Sequence, residues 1–235
     1  VSEYVLYYSP DSANLVVRVA LEECGVSYAA RLVDRSVGQQ RSPDYLELNP
    51  QGLIPVLVDG DVVIFETAAI LLYLVDRHEG LGPRRVMSAR ADLYRWLFFL
   101  SNTLHADLRV MFYSQRHVTD QSAVGTLRAG TRLRLLGHLE LLDAHMGRHA
   151  SGYLLESGFS VCDLYLAACC RWMMIYPADE PIPGRSLRAL PRLWPFLERM
   201  EQRPAVVRAC TAEWIEPPFL TAPRMPRPPV GSVTG

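Results

Sequence analysis

The hydrophobic pattern changes period once along this chain, and that change limits the possible folds more than any other feature. Up to about residue 80, short extended runs alternate with helical ones; between residues 88 and 212, apolar positions recur almost only at three- and four-residue steps. The expectation is an α/β unit followed by an all-α unit. We place the boundaries at 1–80 for the first, 81–87 for a linker, 88–216 for the second, and 217–235 for a proline-rich tail.

The elements follow from local chemistry. The run YVLYY (Tyr4 to Tyr8) is β-branched and aromatic and stops at Ser9-Pro10-Asp11. Ser12 or Asn14 can then cap a helix with Val16, Val17, Ala20, Leu21 and Cys24 on one face, ended by Gly25. A second strand, Ser27 to Val33, completes a right-handed β-α-β unit. Ser42-Pro43 reads as an N-cap with proline at the first helical position, opening a short helix that stops before Asn49-Pro50. Ile54 to Phe65 reads as a hairpin turning at Asp59-Gly60, although Pro55 lies inside its first strand and lacks the amide proton a ladder needs. Thr67 is placed to cap the helix that follows.

In the second part, one long helix is expected from Arg90 to Tyr113 and another from Ser122 to His149. Ser160 and Asp163 form a variant capping box, and shorter helices are expected at Leu190 to Glu201 and Ala205 to Cys210. The tail from Pro217 holds six prolines and no apolar period, which predicts disorder or a path along the surface.

Composition removes several function classes. A formal charge of -1, a pI of about 6.7 and the lack of a basic run argue against a nucleic-acid partner. All 24 basic residues are arginine, so lysine chemistry is not available. No apolar stretch reaches the roughly eighteen residues of a membrane span, and no basic, cleavable leader is evident, so a cytoplasmic location is expected. Five cysteines without C-x-x-C spacing read as small buried side chains rather than a disulfide framework. His145 and His149 stand at i and i+4 but have no evident third ligand, so no metal is expected.

Four motifs occur in order: LYYSPDSANLVVRVALEECG, LNPQGLIPVLVDGD, IFETAAILLYL and SVCDLYLA. Together they resemble the cytosolic glutathione transferase family, in particular its bacterial, serine-type members among theta-, zeta- and beta-like relatives. The resemblance spans about residues 4 to 212. It implies a thioredoxin-like N-terminal domain with a cis-proline, an all-helical C-terminal domain, a homodimer, and glutathione as co-substrate beside a hydrophobic electrophile. It further implies a cis Ile54-Pro55 bond, with the main chain of Ile54 pairing with the cysteinyl part of glutathione. Glu66 would take the γ-glutamyl ammonium and Thr67 its carboxylate at a helix N-terminus, while Gln51, Arg35 and Gln40, with Gln39 and Arg41 nearby, are candidates for the rest of the peptide.

For the thiol, whose free pKa resembles that of cysteine at about 8.5, a hydroxyl donor is needed. Ser12 lies just before the first helix and is the first choice; Tyr8 and Ser9 are alternatives, and Asn14 is either a second donor to the sulfur or a helix cap. The chain departs from cysteine-type relatives, which carry Cys-Ser where Ala13-Asn14 stand here. His105, Asn102, Arg109 and Phe112 are expected to line the electrophile pocket. The reaction implied is conjugation of glutathione; isomerisation, dehalogenation or peroxide reduction on the same fold, and a non-catalytic binding role, are the alternatives.

Overall fold

The structure is a computed structural model, and it describes residues 4–231. Four strands, β1 (Tyr4–Tyr8), β2 (Tyr28–Leu32), β3 (Val56–Asp59) and β4 (Val62–Phe65), form one mixed sheet in the order β2-β1-β3-β4. The expected β-α-β unit is present: β1 runs parallel to β2, with Tyr8 opposite Leu32, and helix α1 (Asn14–Cys24) makes the crossover. Strand β3 is antiparallel to both neighbours, Tyr7 facing Val56 and Val56 facing Phe65. This register brings the ends of β1, β2 and β4 and the start of β3 to one edge of the sheet. The loops that leave that edge therefore converge.

Two local expectations shift. Asp59 pairs with Val62, so the hairpin turns at Gly60-Asp61, one residue later than expected. Of the two central residues only Gly60 has a positive φ (59°), whereas a type I′ turn needs both. The second shift is at helix α3 (Thr67–Arg77), where Thr67 is the first helical residue and not the cap. Glu66 holds the cap position with φ 71°. The short helix α2 (Pro43–Leu48) forms as expected, with the Ser42 hydroxyl accepting from the Tyr45 amide.

The helical part comprises α4 (Arg90–Phe99), α5 (His105–Phe112), α6 (Val124–Met146), α7 (Val161–Met173), α8 (Gly184–Arg188), α9 (Leu193–Glu201) and α10 (Pro204–Ala212). The long helix expected from Arg90 is interrupted by a π-helical turn at Leu100–Leu104, a feature that apolar spacing does not reveal. Helix α8 was not anticipated, because its Gly184-Arg185-Ser186 start carries no apolar period.

Every residue of α7 is buried, making it the axis of the helical part. Its N-terminal amides cannot reach water, so the capping box is required there: Ser160 Oγ accepts from Cys162 N, and Asp163 accepts from Ser160 N at 2.8 Å and Leu154 N at 2.7 Å. Burial pushes Asp163 up to about 7. One hydrophobic core runs from β1, α1 and α3 through α4 and α7 to α9 and α10, and Leu81 is fully inside it. Each fully buried leucine in that core contributes about 1.5–3 kcal/mol relative to exposure.

Of the two expectations for the stretch after Pro217, disorder or a path along the surface, disorder is not what the structure shows, because the stretch is held in place. Phe219 and Leu220 are buried, Arg171 donates to the carbonyls of Phe219 (2.7 Å) and Arg224 (2.8 Å), and Glu201 accepts from Leu220 N (2.9 Å). The last part of the expected tail, 232–235, lies outside the described residues.

Candidate active site

The converging loops at the sheet edge and the inner face of α4 and α5 enclose a cleft of about 950 Å³. On its sheet side stand Asp11, Ser12, Arg35, Gln40, Ile54, Pro55, Glu66 and Thr67; on its helical side stand Asn102, His105, Arg109 and Phe112. Five of the residues proposed from sequence lie off the cleft wall: Tyr8, Ser9, Asn14, Gln39 and Gln51.

Three of these, Tyr8, Ser9 and Asn14, are buried, each for a physical cause. The Tyr8 ring lies beneath the Arg18 guanidinium at 4.4 Å, and burial pushes its hydroxyl pKa up. Ser9 is fully buried, its amide donating to Asn14 Oδ1 at 2.9 Å. Asn14 is also fully buried and has both ends of its amide engaged. Its Oδ1 accepts from Ser9 N and from the Ser12 hydroxyl, and its Nδ2 donates to Glu213 at 2.6 Å. It is neither the expected helix cap nor an open donor, since the capping position is Ala13. Gln51 is exposed and donates to Glu66 Oε1 at 3.3 Å.

Beneath Ser12 is a charged network that the sequence reading missed. Asp11, with φ 54°, accepts from Arg171 Nε and Nη2, both at 2.9 Å, and from Trp172 Nε1 at 3.1 Å. Neither side chain of that ion pair is exposed. Next to it, Glu213 accepts from the Asp11 amide (2.8 Å), Asn14 Nδ2 and Arg18 Nε (2.8 Å). Burial pushes Glu213 up to about 7, with the Arg18 charge drawing it back. No local signal could have found these partners, because Glu213 lies 202 residues from Asp11. The outcome is a Ser12 loop clamped from below.

The remaining walls are equally constrained. The Ile54-Pro55 bond is cis, as the resemblance implied. Gly52 has φ 62°, and a Cβ there would lie 2.6 Å from the Gln40 carbonyl oxygen, so only glycine fits. Glu66 is a non-glycine residue held at positive φ on the cleft wall, a costly conformation of the kind that gathers at ligand sites. Gln40 Oε1 is buried beside the cleft without a donor among the described residues. On the helical side, His105 Nδ1 pairs with the Tyr165 hydroxyl at 2.8 Å, and its ring lies 5.3 Å from that of Trp172. Burial, assisted by the Arg109 charge, pushes His105 down to about 4, so it is neutral near pH 7. His145 and His149 are engaged elsewhere, with the Leu154 carbonyl and the Ser151 hydroxyl.

Chemically, this is a deep cleft with a half-buried hydroxyl at a helix N-terminus on one side and a mixed aromatic and cationic wall on the other. Residues 2–76 match the family model described as the glutathione S-transferase N-terminal domain. The maize (Zea mays) protein named glutathione S-transferase 3 is 31% identical over 219 residues, covering 91% of this chain and 96% of its own. The chain belongs to the glutathione transferase family. Among solved structures, this transferase is similar to the glutathione S-transferase from Xylella fastidiosa, with a TM-score of 0.78 at 30% identity, over 90% of this chain and 98% of that one. A glutathione transferase homologue from Sulfitobacter, solved with bound glutathione, superposes with a TM-score of 0.77 at 26% identity, over 90% and 99% of the two chains.

Proposed function

We propose that this transferase bonds the sulfur of glutathione to an electrophilic carbon of a small molecule, with Ser12 as the group that stabilises the thiolate. The single observation that carries the assignment of Ser12 is its position. Of the three hydroxyls considered, Tyr8 and Ser9 are packed off the cleft, while Ser12 lines it next to the start of α1. Lowering the thiol pKa by two units takes about 2.7 kcal/mol. One hydroxyl donor together with the helix N-terminus is on that scale. The Ser12 hydroxyl donates to Asn14 Oδ1, and it turns from Asn14 to the sulfur as the thiolate forms.

Residues 1–80 act as the glutathione-binding domain in this reading. The peptide lies along the exposed edge at Ile54, with Glu66 taking the α-ammonium, Thr67 the neighbouring carboxylate, and Arg35 and Gln40 the glycyl end. The unpartnered Gln40 Oε1 supports this, because a peptide N–H would satisfy it. Gln51 acts through Glu66, to which its side chain donates. Residues 88–216 supply the electrophile pocket through Asn102, His105, Arg109 and Phe112. No metal takes part, the protein works as a homodimer in the cytoplasm, and light scattering would check the dimer. Among the described residues, no helix is long and apolar enough to cross a membrane.

Calorimetric titration with glutathione, paired with a conjugation assay on 1-chloro-2,4-dinitrobenzene, tests the proposal. Saturable binding below millimolar concentration and release of chloride are expected. Absence of binding at millimolar glutathione refutes it.

A further inference from the structure

We propose that the electrophile this transferase takes is an anion: an aromatic or conjugated molecule carrying a carboxylate, which Arg109 and Arg116 hold while glutathione attacks the other end. This inference rests on the transferase reading above and adds the substrate class to it.

One wall of the cleft is built by α5 together with the π turn before it and the short turn after it. Residues Asn102, His105, Arg109, Phe112 and Arg116 recur at three- and four-residue steps, and all line the cleft. A pocket for a purely apolar electrophile would place uncharged residues along this stripe. Here two arginines occupy it, Arg109 on α5 and Arg116 in the turn that follows the helix.

The acid on the same helix is turned away. Asp107 faces α6, where it accepts from Arg134 at 2.9 and 3.0 Å and pairs with His138 at 3.0 Å. Among the described residues, neither Arg109 nor Arg116 forms an ion pair, and Arg116 only lies over the Tyr113 ring, 4.4 Å from its centre. Two acids line the cleft, Asp11 and Glu66. Asp11 is already neutralised by Arg171, and Glu66 is assigned to the ammonium of glutathione.

Glutathione therefore leaves two positive charges unmatched on the far wall. A concave site lined by one sign of charge focuses its field and concentrates the opposite charge. The guanidinium fork matches a planar carboxylate bidentately. Phe98 and Phe112, on the same wall, offer faces for the aromatic body. With its acid at the arginines and its ring on these faces, such a molecule points its reactive carbon toward the Ser12 side.

Two electrophiles that differ in charge alone provide the test: 4-chloro-3-nitrobenzoate and 4-chloro-3-nitrobenzamide. In each, the thiolate sulfur bonds the chlorine-bearing carbon, the C–Cl bond breaks, chloride leaves with the electron pair, and the thiol proton passes to buffer. Each kcat/KM is divided by the uncatalysed rate constant with glutathione. The carboxylate is expected to lead the amide by tenfold or more, and the ratio to fall at least fivefold in the double variant Arg109→Gln, Arg116→Gln, with smaller falls in each single variant. Equal ratios, or a ratio unchanged by the substitutions, overturn the inference. If neither compound is conjugated, the transferase reading fails instead, and calorimetry with the two chemically made S-aryl conjugates decides the charge preference. Tighter binding of the carboxylate conjugate, lost in the double variant, upholds it, and equal affinities overturn it.

Discussion

Replacing Glu213 by alanine separates the two jobs that its carboxylate performs. Both oxygens are engaged by donors in a site without solvent access: the Asp11 amide on one, and Asn14 Nδ2 and Arg18 Nε on the other. Removing the carboxylate leaves the Arg18 charge with the Tyr28 hydroxyl as its one remaining hydrogen-bond partner among the described residues, at 3.3 Å. Breaking a buried ion pair on one side costs about 3–5 kcal/mol. Each neutral donor left orphaned costs about 1–3 kcal/mol when taken alone. These contributions overlap because the site relaxes as a unit, and the expected loss is about 4 kcal/mol. Urea unfolding followed by fluorescence measures it. The second effect is on chemistry: without Glu213, the Asp11 amide and the Asn14 side chain lose their acceptor, and the loop that carries Ser12 is no longer held in place. The kcat/KM for glutathione, corrected for the folded fraction, is expected to fall by about tenfold, the equivalent of one 1.4 kcal/mol interaction. The double variant Arg18→Met, Glu213→Leu should recover much of the stability, since an apolar pair can replace a buried ionic one, but not the activity. A Glu213→Ala protein destabilised by less than about 1 kcal/mol, or one with undiminished turnover per folded molecule, would refute the reasoning.

Two further predictions concern protons. Ser12→Ala should raise the pKa of bound glutathione by about one unit, the hydroxyl's share of the shift, and lower conjugation near neutral pH by up to about tenfold; thiolate absorbance in the ultraviolet measures the first, and an unshifted pKa would remove Ser12 from its role. For His105, the folded-state pKa of about 4 lies below the ordinary value of 6.5. Between those values the unfolded chain binds a proton that the folded protein refuses, so stability falls as pH drops through that window, by up to about 3 kcal/mol. His105→Gln should flatten this part of the stability profile, and a slope identical to wild type would show that the imidazole is protonated in the folded state.

The parts of the molecule that were legible in the sequence are those fixed by neighbours along the chain. The β-α-β unit, the Ser42 cap with Pro43 and the Ser160-Asp163 box each depend on residues a few positions apart, and each forms as expected. Where a distant group decides, local reading fails. Thr67 has the chemistry of a cap, yet Glu66 takes the position in a left-handed conformation that its side-chain type does not favour. Asn14 looked like a cap or a donor because its partner Glu213 is 199 residues away. Composition leaves the tail either disordered or laid along the surface, but its carbonyls satisfy the buried guanidinium of Arg171, a demand set on α7. The cleft-lining stripe on α4 and α5 was partly visible as helical spacing, although the π turn that sets its phase was not.

The long reach of the clamp beneath Ser12 has a consequence for synthesis. Asp11 is made 160 residues before Arg171 and 202 residues before Glu213. At the slow pace of translation, roughly 5–20 residues per second, the nascent sheet spends about ten seconds or more with the Asp11 charge unpaired and the Ser12 loop unsupported. Native burial of that loop therefore has to wait until the strand order, the α7 axis and the residues beyond α10 have all left the ribosome. A chain stalled short of Glu213 can hold a formed sheet but not a finished nucleophile site, so competence to handle the thiol arrives with the completed chain.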